Sequence, residues 1–159
     1  MLNSVRGPLT AIVGCVGVFW VDQVCKNVFF GIDATDHRPT FSFLNGWVQS
    51  VRHENFGIAF NIPLPQWVIL GVTLVACVGI LVAIVRASTH QQLLPSLFLG
   101  VLLGGALGNG FDRLFLNYVR DWLLLWHRSA INIADLGVII GLVGISWSQT
   151  RTTQPLDKV

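Results

Sequence analysis

Apolar residues along this chain gather into four long runs, Pro8 to Phe29, Gln66 to Val85, Leu93 to Leu116 and Ile131 to Trp147, separated by polar stretches. Each comes close to the roughly 17 to 25 residues that cross a bilayer as a helix, so the pattern predicts four transmembrane helices. Gly100, Gly104 and Gly108 share one face of the third run, and Gly137 and Gly141 one face of the fourth. Small residues let helices approach closely where no hydrophobic effect drives them together, and packing alone accounts for these glycines. Between the first two helices, Gly31 to Pro65 is too polar to span and too aromatic for a plain linker. Phe41 and Phe43 alternate with Thr40 and Ser42, and Asn45-Gly46 precedes Trp47 and Val48; an N-G pair between alternating segments is a strong hairpin signal. Pro63 and Pro65 favour extended backbone and then a helix start. The fold class expected is therefore an all-α membrane protein: four transmembrane helices with a small β-hairpin or sheet platform between helices 1 and 2. A single integral-membrane domain over 1–147 is expected, with a polar tail over 148–159 that contains Pro155 and gives no sign of a fold.

Composition sharpens this. Hydrophobic residues make up 53% of the 159 positions and charged ones 11%, against about 25% charged in soluble domains. Arg6 before an apolar run resembles a secretion signal, but Asp22 and Lys26 interrupt the run's end and no A-x-A site follows; the run reads as a retained helix. Cys15, Cys25 and Cys77 all fall in predicted helices, without a C-x-x-C pair, and suggest neither a disulfide framework nor a metal. A net charge of +2, scattered along the chain, does not suit nucleic-acid binding. Arginines occur on both sides of the predicted helices, so the positive-inside rule does not fix orientation.

The informative residues are the polar ones in or beside the apolar runs, where an ionisable group is costly and tends to mark function. Asp22 and Lys26 are four apart, share a helix face and can pair; easing two charges into the interface is the plainer role. Asn109, Asp112 and Arg113 follow at i, i+3 and i+4, where an Asp112 and Arg113 network would fix the helix end and the Asn109 amide could hold a substrate backbone. Asn132 and Asp135 open the fourth run on one face, with Ala134 beside them small enough to admit a chain. Asp135 could simply cap its helix. Yet Asp121 can be returned to the same membrane edge through the short stretch Trp122 to Ala130. Two carboxylates brought together share a proton, so one can act as base toward water while the other acts as acid. His53-Glu54 begins like H-E-x-x-H, but Gly57 stands where the second His should be, and no G-x-S-x-G elbow occurs. A small transporter or proton pathway using intramembrane carboxylates is the alternative function, and a noncatalytic scaffold a third.

Taken together, DQVCK at Asp22 to Lys26, NFGIAF at Asn55 to Phe60, GNGFDR at Gly108 to Arg113, VRDW at Val119 to Trp122 and INIAD at Ile131 to Asp135 resemble, in order and position, the lipoprotein signal peptidase (signal peptidase II) family. The resemblance covers the chain up to about Trp147 and implies an aspartic endopeptidase of the bacterial inner membrane. Such an enzyme removes the signal peptide of diacylglyceryl-modified prolipoproteins before the lipidated cysteine. It implies Asp121 and Asp135 as the catalytic pair, with Asp22, Lys26, Asn55, Gly57, Asn109, Asp112, Arg113, Asn132 and Ala134 as dyad support or substrate contacts. It further implies membrane lipids and the cyclic peptide globomycin as partners, no metal or cofactor, both termini in the cytoplasm and an extracytoplasmic site. Four positions depart from the family pattern. Asn117 replaces a glycine while tolerating positive φ, and Arg120 stands where an apolar residue is usual. Ile131 and Trp122 replace phenylalanines. Arg120 should point away from Asp121 along an extended segment and have only a modest electrostatic effect, while the apolar segment Phe41 to Trp47 should lie over the site.

Overall fold

The computed structural model describes residues 5–32, 39–58 and 62–152. Four helices carry the architecture: α1 (Arg6–Ile32), α2 (Gln66–Thr89), α3 (Leu93–Leu116) and α4 (Ile133–Thr152). All four are long and apolar enough to cross a membrane. Helices α1, α2 and α4 extend past the apolar runs, since a helix ends where its backbone finds other partners and not where hydrophobicity stops. The beginning of the expected polar tail, as far as Thr152, is thus part of α4, and 153–159 lie outside the described residues. The connections at 33–38 and 59–61, the latter including the end of the NFGIAF block, also lie outside them.

Glycine sets how closely the helices approach. A side chain at Gly100 would overlap the Ala11 carbonyl of α1, one at Gly104 the Cys15 carbonyl, and one at Gly105 the Ala134 carbonyl of α4. The expected small-residue face is therefore the seam along which α1 and α3 touch backbone to backbone. Gly108 differs: a Cβ there would come within 2.7 Å of the Asp22 carboxylate, so this glycine makes room for a charged side chain as well as for packing. The outward faces carry Leu9, Val13, Val16 and Trp20 of α1 and Leu74, Val75 and Val78 of α2, all exposed, as a lipid-facing surface requires.

The β-structure is larger than the sequence pattern indicates. Strands β1 (Ser42–Phe43), β2 (Val48–Asn55), β3 (Val119–Leu125) and β4 (Ser129–Ile131) form one antiparallel sheet in that order. The hairpin predicted at Asn45-Gly46 forms, pairing Phe43 with Val48 across a short 3-10 turn in which Leu44, Asn45 and Gly46 all have positive φ. The stretch from Trp122 to Ala130 is not a plain loop: β3 and β4 make a second hairpin there, and β3 pairs with β2. β2 holds one extra residue between Ser50 and His53, a bulge that resets its register so that His53 lies opposite Asp121. α3 stops at Asn117, whose φ of 64° closes the helix in the left-handed region; the expected tolerance of Asn there is met, and the chain turns directly into β3.

Candidate active site

Three helices and the sheet bring the singled-out polar residues to one end of the bundle. Asp22 and Lys26 pair at 2.7 Å with no solvent exposure of either side chain. Their group continues across α3, where Lys26 also lies 3.2 Å from Asp112. Asp112 does not pair with Arg113, contrary to expectation; its second cation is Arg120, at 2.8 Å. Consecutive helical residues point about 100° apart, so Arg113 faces another way, donating to the Gly57 carbonyl at 2.8 Å and the Asn109 carbonyl at 3.4 Å.

The other two aspartates are held by amides. Asp121 is 1% exposed, and its oxygens accept from Asn132 at 2.6 Å and Asn55 at 3.0 Å. Asn55 is itself fixed, because its carbonyl oxygen accepts the Gly57 N–H at 3.0 Å. Asp135 accepts from Asn109 at 2.7 Å and from the Asn132 N–H at 3.2 Å, while the Asn132 side chain accepts the Asp135 N–H at 2.9 Å. This last exchange is a capping box with Asn132 as N-cap, so Asp135 does cap its helix as well as facing the site. Asp22 accepts the next free amide, that of Ala134, at 2.8 Å. Asn132 thereby contacts both carboxylates through one side chain and one backbone group.

Burial, and then the nearby Asp135 carboxylate, push Asp121 up from 3.8 to about 7, against the pull of the Asn55 and Asn132 hydrogen bonds. Both aspartates line a cleft of about 820 Å³. Its walls are apolar on the α2 and α4 sides, with Val68, Ile69, Val72, Val138 and Ile139, while Asn109, Arg113, Asn55 and His53 supply polar edges.

Several expectations change with this geometry. Asn55, Asn109 and Asn132 direct their NH2 groups at the two carboxylates and not at open space, because a buried carboxylate needs donors. Ala134 admits no chain; it is fully buried against Gly105 and Gly108. The apolar stretch Phe41 to Trp47 does not lie over the cleft. It packs beyond β2, where Phe41 meets Phe29 at 5.6 Å and Trp122 stacks on Phe29 at 4.4 Å. Arg120 points away from Asp121 as expected, but its contacts are many, reaching Asp112, Gln23 at 2.8 Å and Asn27 at 2.6 Å. Gln23 and Asn27 are contacts that no sequence motif singles out. Asp22, Gln23, Lys26 and Asn27 make a polar stripe at i, i+1, i+4 and i+5 that marks the same helix face. His53, half-buried beside Asp121 in the sheet, carried no comparable signal, because only the bulge turns it inward.

Comparison with known proteins agrees with this geometry. The family model described as signal peptidase (SPase) II matches residues 15–151. The lipoprotein signal peptidase of Pseudoalteromonas atlantica is 31% identical over 153 residues, 89% of this chain and 90% of that one. That of Teredinibacter turnerae is 33% identical over 148 residues, covering 86% and 84%. In fold the chain is similar to a bacterial membrane enzyme solved by the in meso method at 2.3 Å resolution, with a TM-score of 0.79, 24% identity and 94% of each chain covered. Matched over residues 15–151 and with four helices long and apolar enough to span, the chain is a multi-pass membrane protein that belongs to the signal peptidase II family.

Proposed function

We propose that the chain is an aspartic endopeptidase that cuts diacylglyceryl-modified prolipoproteins just before the lipidated cysteine, with Asp121 and Asp135 as its catalytic pair. The observation that carries this is how the four carboxylates are partnered. Among the described residues, Asp22 and Asp112 contact Lys26 and Arg120, whereas Asp121 and Asp135 line one cleft and form no ion pair. Two neighbouring carboxylates without a cation in contact favour sharing one proton. Burial and the nearby Asp135 carboxylate raise the proton affinity of Asp121.

A pair that shares one proton can run peptide hydrolysis in both directions of proton flow. The ionised carboxylate takes a proton from a water as its oxygen attacks the scissile carbonyl. The protonated carboxyl hydrogen-bonds the carbonyl oxygen as charge develops there, and the proton gained from water then passes to the leaving nitrogen. The amides that hold the carboxylates fix their lone pairs on the cleft. Arg113, which among the described residues donates to carbonyls, supplies positive potential nearby. The apolar walls suit acyl chains and an apolar signal peptide, and the polar edge suits the peptide bond. The polar groups of α1, α3 and α4 gather at the sheet-bearing end and are not spread through the membrane depth, which favours hydrolysis at one surface over a transport path. We place that end at the extracytoplasmic face of the bacterial inner membrane, with both termini in the cytoplasm.

Cleavage of a purified diacylglyceryl-prolipoprotein in detergent tests the proposal. Wild type should cut the lipidated form and leave the unlipidated precursor intact, while Asp121→Asn and Asp135→Asn should be inert though folded. Normal cleavage by both variants would remove the pair from the mechanism.

A further inference from the structure

Arg120 sits where α1, α3 and β3 meet, and its contacts tie the three together. Its side chain is 12% exposed, and its guanidinium lies 2.8 Å from the Asp112 carboxylate, which has no exposure. It donates to Asn27 at 2.6 Å and Gln23 at 2.8 Å on α1. Its backbone N–H donates to the second oxygen of the same Asp112 carboxylate at 3.0 Å. Side chain and main chain of one residue thus grip a single buried carboxylate, and the next residue along β3 is Asp121.

From Asp112 the contacts lead to the other carboxylate of the cleft. Lys26 is shared between Asp22 at 2.7 Å and Asp112 at 3.2 Å, and it also donates to the side-chain amide oxygen Oδ1 of Asn109 at 3.1 Å. Asn109 uses its NH2 to hold Asp135 at 2.7 Å. The orientation of that amide is set by Lys26, and Lys26 can serve it only while another cation satisfies Asp112. Without Arg120, one ammonium would face two buried carboxylates, an uncompensated charge that the interior relieves by drawing Lys26 toward Asp112 or by taking up a proton.

We propose that Arg120 is a positioning residue for the catalytic pair. By neutralising Asp112 it frees Lys26 to fix Asn109, and through Asn109 the carboxylate of Asp135, while its own backbone sets the start of the strand that carries Asp121. This rests on the assignment of Asp121 and Asp135 as the pair. It makes Arg120 a determinant of turnover in this chain although it faces away from the cleft.

A double-variant cycle on the full-length enzyme, read by cleavage of the lipidated precursor and by melting in detergent, tests it. Arg120→Leu should lower kcat by about 10- to 100-fold through misplaced groups, and Arg120→Lys should retain more activity than Arg120→Leu. KM should change by no more than about twofold, since substrate contacts are untouched. Removing the carboxylate as well, in Arg120→Leu with Asp112→Asn, restores the balance of one cation and one carboxylate, so kcat should recover to well above that of Arg120→Leu. If Arg120 were only a mechanical tie, the double variant would lose a further tie and be slower; that result, or unchanged kcat in Arg120→Leu, overturns the proposal. Should Arg120→Leu not fold, the double variant decides alone: it should fold and cleave, and a folded but inert double variant overturns the proposal. Asp121→Asn and Asp135→Asn run in parallel separate the two ideas. Activity in both removes the catalytic pair itself, whereas inactivity in both beside a normal Arg120→Leu removes only the role of Arg120.

Discussion

Two pairs of aspartates occupy one end of this molecule, and their partners differ in kind. Asp22 and Asp112 are held by Lys26 and Arg120 at 2.7 to 3.2 Å. Asp121 and Asp135 are held by Asn55, Asn109 and Asn132. A cation in contact ties a carboxylate into a fixed geometry, as a strut does. An amide in contact orients the same group without neutralising it, and leaves it free to exchange a proton. On the proposed assignment, the role of each aspartate follows from what its neighbours carry, and the four cannot be ranked by residue type.

The largest effect that would break this distinction is on chemistry. Asp121→Asn or Asp135→Asn should cost on the order of 10²- to 10⁴-fold in kcat, as loss of an acid or base does, while the melting transition in detergent stays close to wild type. On the strut side, Lys26→Met leaves Asp22 and Asp112 facing one arginine. Breaking a buried pair in this way costs about 3 to 5 kcal/mol, and chemical unfolding in detergent should show a stability loss far beyond that of either asparagine variant. Equal losses in the two sets would erase the contrast.

Smaller effects sharpen it through pH. Asp121 rises from 3.8 to about 7 on folding, so the folded state holds more protons than the unfolded state between those values. Its contribution to stability is complete below about 3.8 and declines as pH rises toward 7. Asp121→Asn should therefore flatten the pH dependence of melting over that interval, and cleavage by wild type should fall as pH climbs past about 7 and the shared proton leaves. The mildest change is Asn55→Ala. Its hydrogen bond lowers the proton affinity of Asp121, so its loss should move the alkaline limb of the activity profile upward. A limb that moves downward, or not at all, would show that Asn55 does not hold the ionised form.

Much of the site was legible in the chain because helices impose fixed spacing. Asp22 with Lys26, and Asn132 with Asp135, needed only the i, i+3 and i, i+4 rule to be placed on a face. Asp112 and Arg113 were misjudged for the same reason: adjacency in sequence suggested a shared network, and helix geometry separates neighbours. The sheet was legible at Asn45-Gly46, where the turn chemistry is local, and hidden at β3 and β4. The run VRDWLLL has no alternation to mark it as a strand, and its pairing partner lies more than sixty residues away in β2. Arg120 points away from Asp121 as expected, but its contacts were not legible, because extended geometry predicts which way a side chain points and not what waits there. The partners on α1, Gln23 and Asn27, become visible only once helix and strand are docked.

The bulge in β2 places a limit on how this part of the chain can change in length. Between Ser50 and Asn55 the strand spans one residue more than its partner, and that surplus puts Asn55 and His53 on the cleft side. Deleting it, or adding another, would turn both to the opposite face and strip Asp121 of a donor without altering any residue's identity. Insertions should be tolerated at the Leu44–Trp47 turn and excluded from the six positions Ser50 to Asn55 inclusive.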